Sequence, residues 1–137
     1  MERLTLPAVL DSLEEVVAFV GGLACVAGLS EPQARRLRLA TEEFVTNIVV
    51  HGHDGGVATA EMEIAGGVES DRVWLILIDR GPPFDPDTVG PPDDLNEPLA
   101  RRRLGGLGLF LARDAADQIT YEHSGGRNRT TIVVNRR

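Results

Sequence analysis

The sequence predicts an α+β fold: a two-layer α/β sandwich in which one mostly antiparallel sheet carries its helices on one face. Three observations predict it. Two capping-box signatures open amphipathic stretches in the first third of the chain. Two strand-like runs, Val57 to Ile64 and Val73 to Ile78, follow them. Two shorter runs flank Ser124-Gly125-Gly126-Arg127-Asn128 near the C-terminus. The resulting order is β-α-α-β-β-α-β-β, with no internal repeat and no second boundary, which suits one domain spanning residues 1–137.

Arg3 to Leu6 alternates polar and apolar residues and stops at Pro7, as a short edge strand does. Ser12-Leu13-Glu14-Glu15 reads as a capping box with Ser12 as N-cap. The helix after it places Leu13, Val16, Val17, Val20, Leu23 and Ala24 on one face, and Gly28 suits the position just past its end. Cys25 falls within this pattern and reads as a small core residue; as the lone cysteine it cannot form an internal disulfide. Gly21-Gly22 predicts a kink or close packing midway. Ser30-Glu31-Pro32-Gln33 opens a longer helix, whose apolar face is Leu37, Ala40, Thr41, Phe44, Val45 and Ile48 and which ends near His51-Gly52.

Val57 to Ile64 alternates, with Glu61 and Glu63 outward, and a turn is expected from Gly66-Gly67 through Asp71. Val73 to Ile78 has the continuous apolar character of a central strand. Residues 80–104 are rich in proline and poor in core-forming side chains, and loops of that length usually serve a function, an active-site lid being one. Leu107 to Ala116 reads as a short helix. Ile119 to His123 and Thr130 to Asn135 then pair as a hairpin around Ser124-Gly125-Gly126-Arg127-Asn128.

Composition excludes some functions. A hydrophobic content of 42% and a charged content of 26% are those of an ordinary soluble domain. A net charge of −7 argues against a direct nucleic-acid partner, because phosphate neutralisation needs a basic surface. No apolar run approaches the roughly 20 residues that span a bilayer. Met1 to Pro7 lacks the basic region and apolar core of a signal peptide, so a cytoplasmic location is expected. His51 and His53 flank Gly52 without the further ligands a zinc site needs.

Chemistry concentrates in three places. Glu43 and Asn47, at i and i+4, project from one helix face at the margin of its apolar stripe. Taken alone, such a pair also suits a solvated face. Asn is, however, a poor mid-helix residue, and its presence between Val45 and Ile48 asks for a reason. A neutral oxygen is sufficient for Mg²⁺ on a nucleotide, since that ion takes only one or two protein ligands, and the glutamate is a potential general base. Glu42 points about 100° away, toward solvent or an ion pair.

Asp79 closes the central strand. It suits either an Asp-Arg-Gly turn or a carboxylate that accepts from the exocyclic amine of adenine. Gly81 would let the backbone approach the base, and Phe84 would offer an apolar wall. Third, the backbone N–H groups of Gly105, Gly106, Leu107 and Gly108 stand where a helix N-terminus could cradle phosphate, with Arg101-Arg102-Arg103 beside them. No Gly-Lys-Ser/Thr follows, so this is not a Walker A loop.

Together the segments LATEEFVTNIVVHG, DRGPPFDP and GGLGLFLAR resemble the three nucleotide boxes of the GHKL ATPases, which include gyrase, histidine-kinase catalytic domains and MutL. The opening LTLPA and the short length resemble the bacterial anti-sigma-factor serine/threonine kinase branch. The resemblance spans Leu4 to Val134 and implies a Bergerat-type sandwich that holds Mg·ATP under a lid at about residues 85–104. It implies that Asn47 is the Mg²⁺ ligand, Glu43 the general base and Asp79 the adenine-reading acid. The same resemblance implies that Gly81 is that acid's partner glycine, that Gly106 and Gly108 hinge the lid, and that Thr130 helps to read adenine. Leu104 directly precedes Gly105, which leaves Arg103 as the nearest basic residue for the terminal phosphate, and Pro83 stands where many relatives outside this branch have a second glycine. The implied activity is ATP-dependent phosphorylation of a STAS-type anti-anti-sigma protein by a kinase that also binds a sigma factor, as a homodimer. The alternatives are a partner-switching module that binds nucleotide without transferring phosphate, or the ATPase half of a phosphorelay.

Overall fold

A short edge strand, β1 (Glu2–Pro7), leads through a single 3-10 turn into helix α1 (Leu13–Ala27), which is followed by α2 (Glu31–His51). Strands β2 (Glu61–Val68), β3 (Arg72–Asp79), β4 (Gln118–Ser124) and β5 (Arg127–Asn135) complete the elements of the computed structural model, which describes residues 1–51, 61–83 and 112–136. Residues 112–115 form a helical turn ahead of β4. The strands make one sheet in the order β1-β2-β3-β5-β4, and every pairing is antiparallel.

Register explains why both helices lie on one face. Leu4, Ile64, Leu77 and Thr130 form one row across four strands. Gly66, Leu75 and Ile132 form the next row, followed by Val68, Val73 and Val134. With side chains alternating along each strand, these rows share a face. That face packs on Val16, Val20 and Leu23 of α1 and on Leu37, Phe44, Val45 and Ile48 of α2, all buried. Each such aliphatic side chain contributes about 1.5–3 kcal/mol on burial. The expected apolar face of α2 is thus the observed one. No helix among the described residues is long and apolar enough to cross a membrane.

The second capping box forms as its sequence dictates: Ser30 N–H donates to Gln33 Oε1 at 2.9 Å, and Gln33 N–H to Ser30 Oγ at 3.3 Å. The first does not. The 3-10 turn Leu10–Ser12 runs straight into α1, so Ser12 is already helical (φ −75°, ψ −12°) and its side chain caps nothing. It is buried, and its hydroxyl donates to Pro7 O at 2.7 Å, tying the end of β1 to the start of α1. Gly28 ends α1 in the left-handed region at φ 65°, with Leu29 N–H on Ala24 O and Gly28 N–H on Cys25 O, a Schellman arrangement. Arg136 reinforces this end. Its Nε and Nη2 donate to Ala27 O at 3.0 and 2.7 Å, and its Nη1 to Glu69 O at 2.8 Å, pinning the helix to the β2–β3 turn.

Three further expectations are corrected. Cys25 is exposed, because the buried stripe of α1 passes through Leu23, Ala24 and Ala27 and leaves Cys25 on the opposite side. Gly21 and Gly22 lie in an uninterrupted helix, and a Cβ on either would meet nothing within 4 Å, so neither kink nor close packing explains them. Gly66 and Gly67 belong to β2, and the turn is confined to the residues after Val68. A Cβ at Gly66 would sit 2.4 Å from Leu23 Cδ1 and 3.2 Å from Phe19 Cε1, so α1 approaches the sheet over bare backbone there. One at Gly67 would lie 2.5 Å from the Trp74 ring, its cross-strand partner on the other face.

These contrasts predict opposite signs for the glycines. Gly66→Val overpacks the contact with Leu23 and should destabilise by about 1–3 kcal/mol. Gly21→Ala should stabilise by roughly 0.5–1 kcal/mol, the helix-interior cost of glycine. Urea unfolding of the two variants checks both, and a Gly66→Val midpoint at or above that of the parent protein would contradict the packing account.

Candidate functional site

Helix α2 and the ends of β3 and β5 carry the described candidates. Glu43 and Asn47 stand one turn apart on α2, Glu43 half-buried and Asn47 only 8% exposed. Glu42, around the helix, pairs with Arg38 at 3.6 Å, which leaves Glu43 as the carboxylate on the Asn47 side. Desolvation by burial, and secondarily the neighbouring charge of Glu42, pushes the Glu43 carboxyl above its ordinary range. Among the described residues, Asn47 Oδ1 is the buried side-chain oxygen or nitrogen that has no hydrogen-bond partner. A buried amide oxygen left in this state costs about 1–3 kcal/mol. The neighbouring buried Thr41, by contrast, donates its hydroxyl back to Leu37 O at 2.7 Å.

The sheet supplies the second group. Asp79 ends β3, 8% exposed, opposite Asn128 on β5 and Met62 on β2. Its Oδ1 accepts from Gly81 N–H at 2.9 Å and from Asn128 Nδ2 at 3.1 Å. The Asp-Arg-Gly turn and the inward-facing carboxylate therefore coexist: one oxygen makes the turn. Thr130, buried at 5%, lies in the adjacent row opposite Leu77 and on the same face as Asp79. That face is the one α2 covers, so Glu43, Asn47, Asp79, Gly81 and Thr130 belong to one side of the molecule. Phe84, Arg101, Arg102, Arg103, Gly105, Gly106, Leu107 and Gly108, and the segment 85–104, lie outside the described residues.

Asn128 is the residue that sequence reasoning missed. The sequence pattern sets it in a five-residue loop, but the turn is the two residues Gly125 and Gly126, both at positive φ (60° and 75°), with Ser124 paired to Arg127. The strands are correspondingly longer, which brings Asn128 to 4% exposure beside Asp79. The detectable signal was the Gly-Gly pair itself, a strong two-residue hairpin turn.

The donor set fits a nucleotide-bound magnesium ion: one neutral, buried and otherwise unpartnered oxygen, Asn47 Oδ1, with a carboxylate one turn away.

Comparison with known proteins gives this layered α/β fold its class, a nucleotide-binding ATPase domain. Residues 6–134 match the histidine kinase-like ATPase domain family. The serine-protein kinase RsbW of Halalkalibacterium halodurans is 30% identical over 128 residues, covering 90% of this chain and 76% of that protein. RsbW of Staphylococcus epidermidis is likewise 30% identical over 128 residues, 90% of this chain and 80% of its own. Among solved structures, the RsbU and RsbW domains of Rv1364c from Mycobacterium tuberculosis share the fold with a TM-score of 0.62 at 19% identity, over 98% of this chain and 32% of that one. The catalytic domain of histidine kinase ThkA shares it with a TM-score of 0.56 at 13% identity, over 99% and 97%. The chain belongs to the histidine kinase-like ATPase domain family, in the branch of the RsbW serine-protein kinases.

Proposed function

We propose that this chain is an ATP-dependent protein serine/threonine kinase that binds a sigma factor and phosphorylates a STAS-type anti-anti-sigma protein, working in the cytoplasm as a homodimer. The observation that carries the proposal is the orphaned Asn47 Oδ1 one turn from a carboxyl whose affinity for a proton is raised. Similarity to the RsbW serine-protein kinases supports the phosphoacceptor class.

In this reading Asn47 Oδ1 would hold the magnesium ion of Mg·ATP, which would offset charge on the phosphate oxygens. Glu43 orients the incoming serine or threonine hydroxyl and takes its proton as the new O–P bond forms and the bond to the ADP oxygen breaks. A raised proton affinity suits that task, since a base works best when its pKa approaches the working pH. Asp79 accepts from the adenine amine, with Gly81 and Thr130 beside it. Phe84, Arg103, the amides of Gly105, Gly106, Leu107 and Gly108, and a lid at 85–104 enter from the sequence alone.

The direct test is incubation with γ-labelled ATP, Mg²⁺ and the STAS-type protein encoded nearest to it. Label on one serine or threonine of that protein supports the kinase; bound nucleotide without transfer under every condition points to the regulatory module instead. Nucleotide choice supplies a second test. Asp79→Asn replaces one acceptor oxygen by a donor and should weaken ATP binding by about 1–3 kcal/mol. Wild-type protein should bind GTP poorly, because guanine presents a carbonyl to the same carboxylate. Equal calorimetric affinities for ATP and GTP would remove Asp79 from this role.

A further inference from the structure

Asn128 uses both ends of its amide. Nδ2 faces three acceptors, Asp79 Oδ1 at 3.1 Å, Gly81 O at 3.1 Å and Pro82 O at 3.0 Å. Oδ1 accepts from the Tyr121 hydroxyl and lies 3.0 Å from His123 Nδ1. The orientation of the amide is fixed by this chemistry: a flip would set its oxygen against a carboxylate and two carbonyls. The residue therefore joins three pieces of chain, the end of β3, the loop that follows it, and edge strand β4.

A carboxylate rotates about a broad, roughly two-fold torsion, so nothing intrinsic aims its second oxygen. Asp79 is different. Both of its hydrogen bonds among the described residues land on Oδ1, one from Gly81 N–H and one from Asn128. Holding Oδ1 on two sides fixes where Oδ2 points. The Gly81 bond is local, two residues along the chain; the Asn128 bond comes from a different strand and anchors the group to the sheet.

We propose that Asn128 is the positioning residue that gives this protein its base specificity, by aiming Asp79 Oδ2 at the amino group of the purine and locking the Gly81-Pro82 backbone against the sheet. The proposal rests on the reading of Asp79 as the base-recognising acid. It extends that reading to a residue whose role is exerted through another side chain.

The test compares ATP with purine riboside triphosphate, which differs only in lacking the 6-amino group, by titration calorimetry. Wild-type protein should prefer ATP by roughly tenfold or more, the scale of a hydrogen bond to a buried charged partner. In Asn128→Ala that preference should shrink to about threefold or less, with the affinity for purine riboside triphosphate nearly unchanged. Asn128→Asp, which conserves shape but cannot donate, should lose the preference as well. A purely structural role would weaken both nucleotides in parallel and leave their ratio intact, and that outcome overturns the proposal. A wild-type ratio near one overturns the Asp79 reading itself, so the two failures are distinguishable. A readout in the wild-type protein needs no folded variant: the Asn128 side-chain amide resonances should shift more with ATP than with purine riboside triphosphate. Identical shifts for the two ligands would contradict the proposal.

Discussion

Glu43→Gln should reduce phosphotransfer by roughly 10²–10⁴-fold, the range for losing a general base, while leaving Mg·ATP affinity close to that of the parent protein. The amide keeps the size of the side chain and its hydrogen-bonding capacity but cannot take the hydroxyl proton. The same variant has a stability signature. Burial, then the Glu42 charge, raises the Glu43 carboxyl above its ordinary value of 4.5 in the folded protein. A carboxyl raised on folding favours the native state while it is protonated, below the unfolded value, and this benefit is lost as pH rises through the folded value. At neutral pH the parent therefore bears the cost of ionising Glu43 in place, and the glutamine variant does not. Its thermal midpoint should exceed that of the parent at pH 7, and the gain should vanish below about pH 4. Thermal melts across pH check the sign, and single-turnover transfer checks the chemistry. Transfer at the parent rate would show that Glu43 is not the base.

Asn47→Ala should separate function from stability in the opposite sense. Losing a residue that merely orients a metal ligand costs about 10–100-fold in metal affinity, so removing the ligand oxygen itself should cost Mg²⁺-dependent nucleotide binding roughly 100-fold or more. The empty protein should become more stable. The substitution removes a buried oxygen that has no partner and replaces asparagine by the best helix former, together about 1 kcal/mol or more. Under the proposed function this oxygen is kept for a ligand, an idea checked by chemical denaturation without nucleotide beside calorimetry with it. An Asn47→Ala protein that is less stable, yet binds Mg·ATP as before, would show that the amide serves the fold.

The face of α2 was legible because the spacing of Leu37, Ala40, Thr41, Phe44, Val45 and Ile48 allows one helical stripe, and all of them are buried. The Glu43 and Asn47 pair was legible for the related reason that asparagine has no local excuse in mid-helix. Ser12 misled because a capping box states what a serine can do, not whether the chain before it has already turned helical; here a 3-10 turn had. Gly66 and Gly67 misled because glycine marks turns and close approaches alike, and only the position of Leu23 and Trp74 in space tells them apart. Cys25 adjoins the buried Leu23, Ala24 and Ala27 in sequence, yet it falls just outside their stripe. Asn128 was hidden by an overlong loop, and its significance depends on register with Asp79, a partner 49 residues away. Local patterns thus reached Glu43, Asn47 and Asp79 of the candidate site, whereas Asn128 needed pairing across strands.

Whether α2 and the ends of β3 and β5 form a Mg·ATP site is decided by calorimetry of the wild-type protein with ATP, in the presence of Mg²⁺ and again in excess chelator. Saturable binding of one ATP per chain is expected with Mg²⁺, with a large loss of affinity when the ion is withdrawn and little binding of GTP. ATP binding of equal strength with and without Mg²⁺ would contradict the role of Asn47, and no binding under either condition would contradict the site.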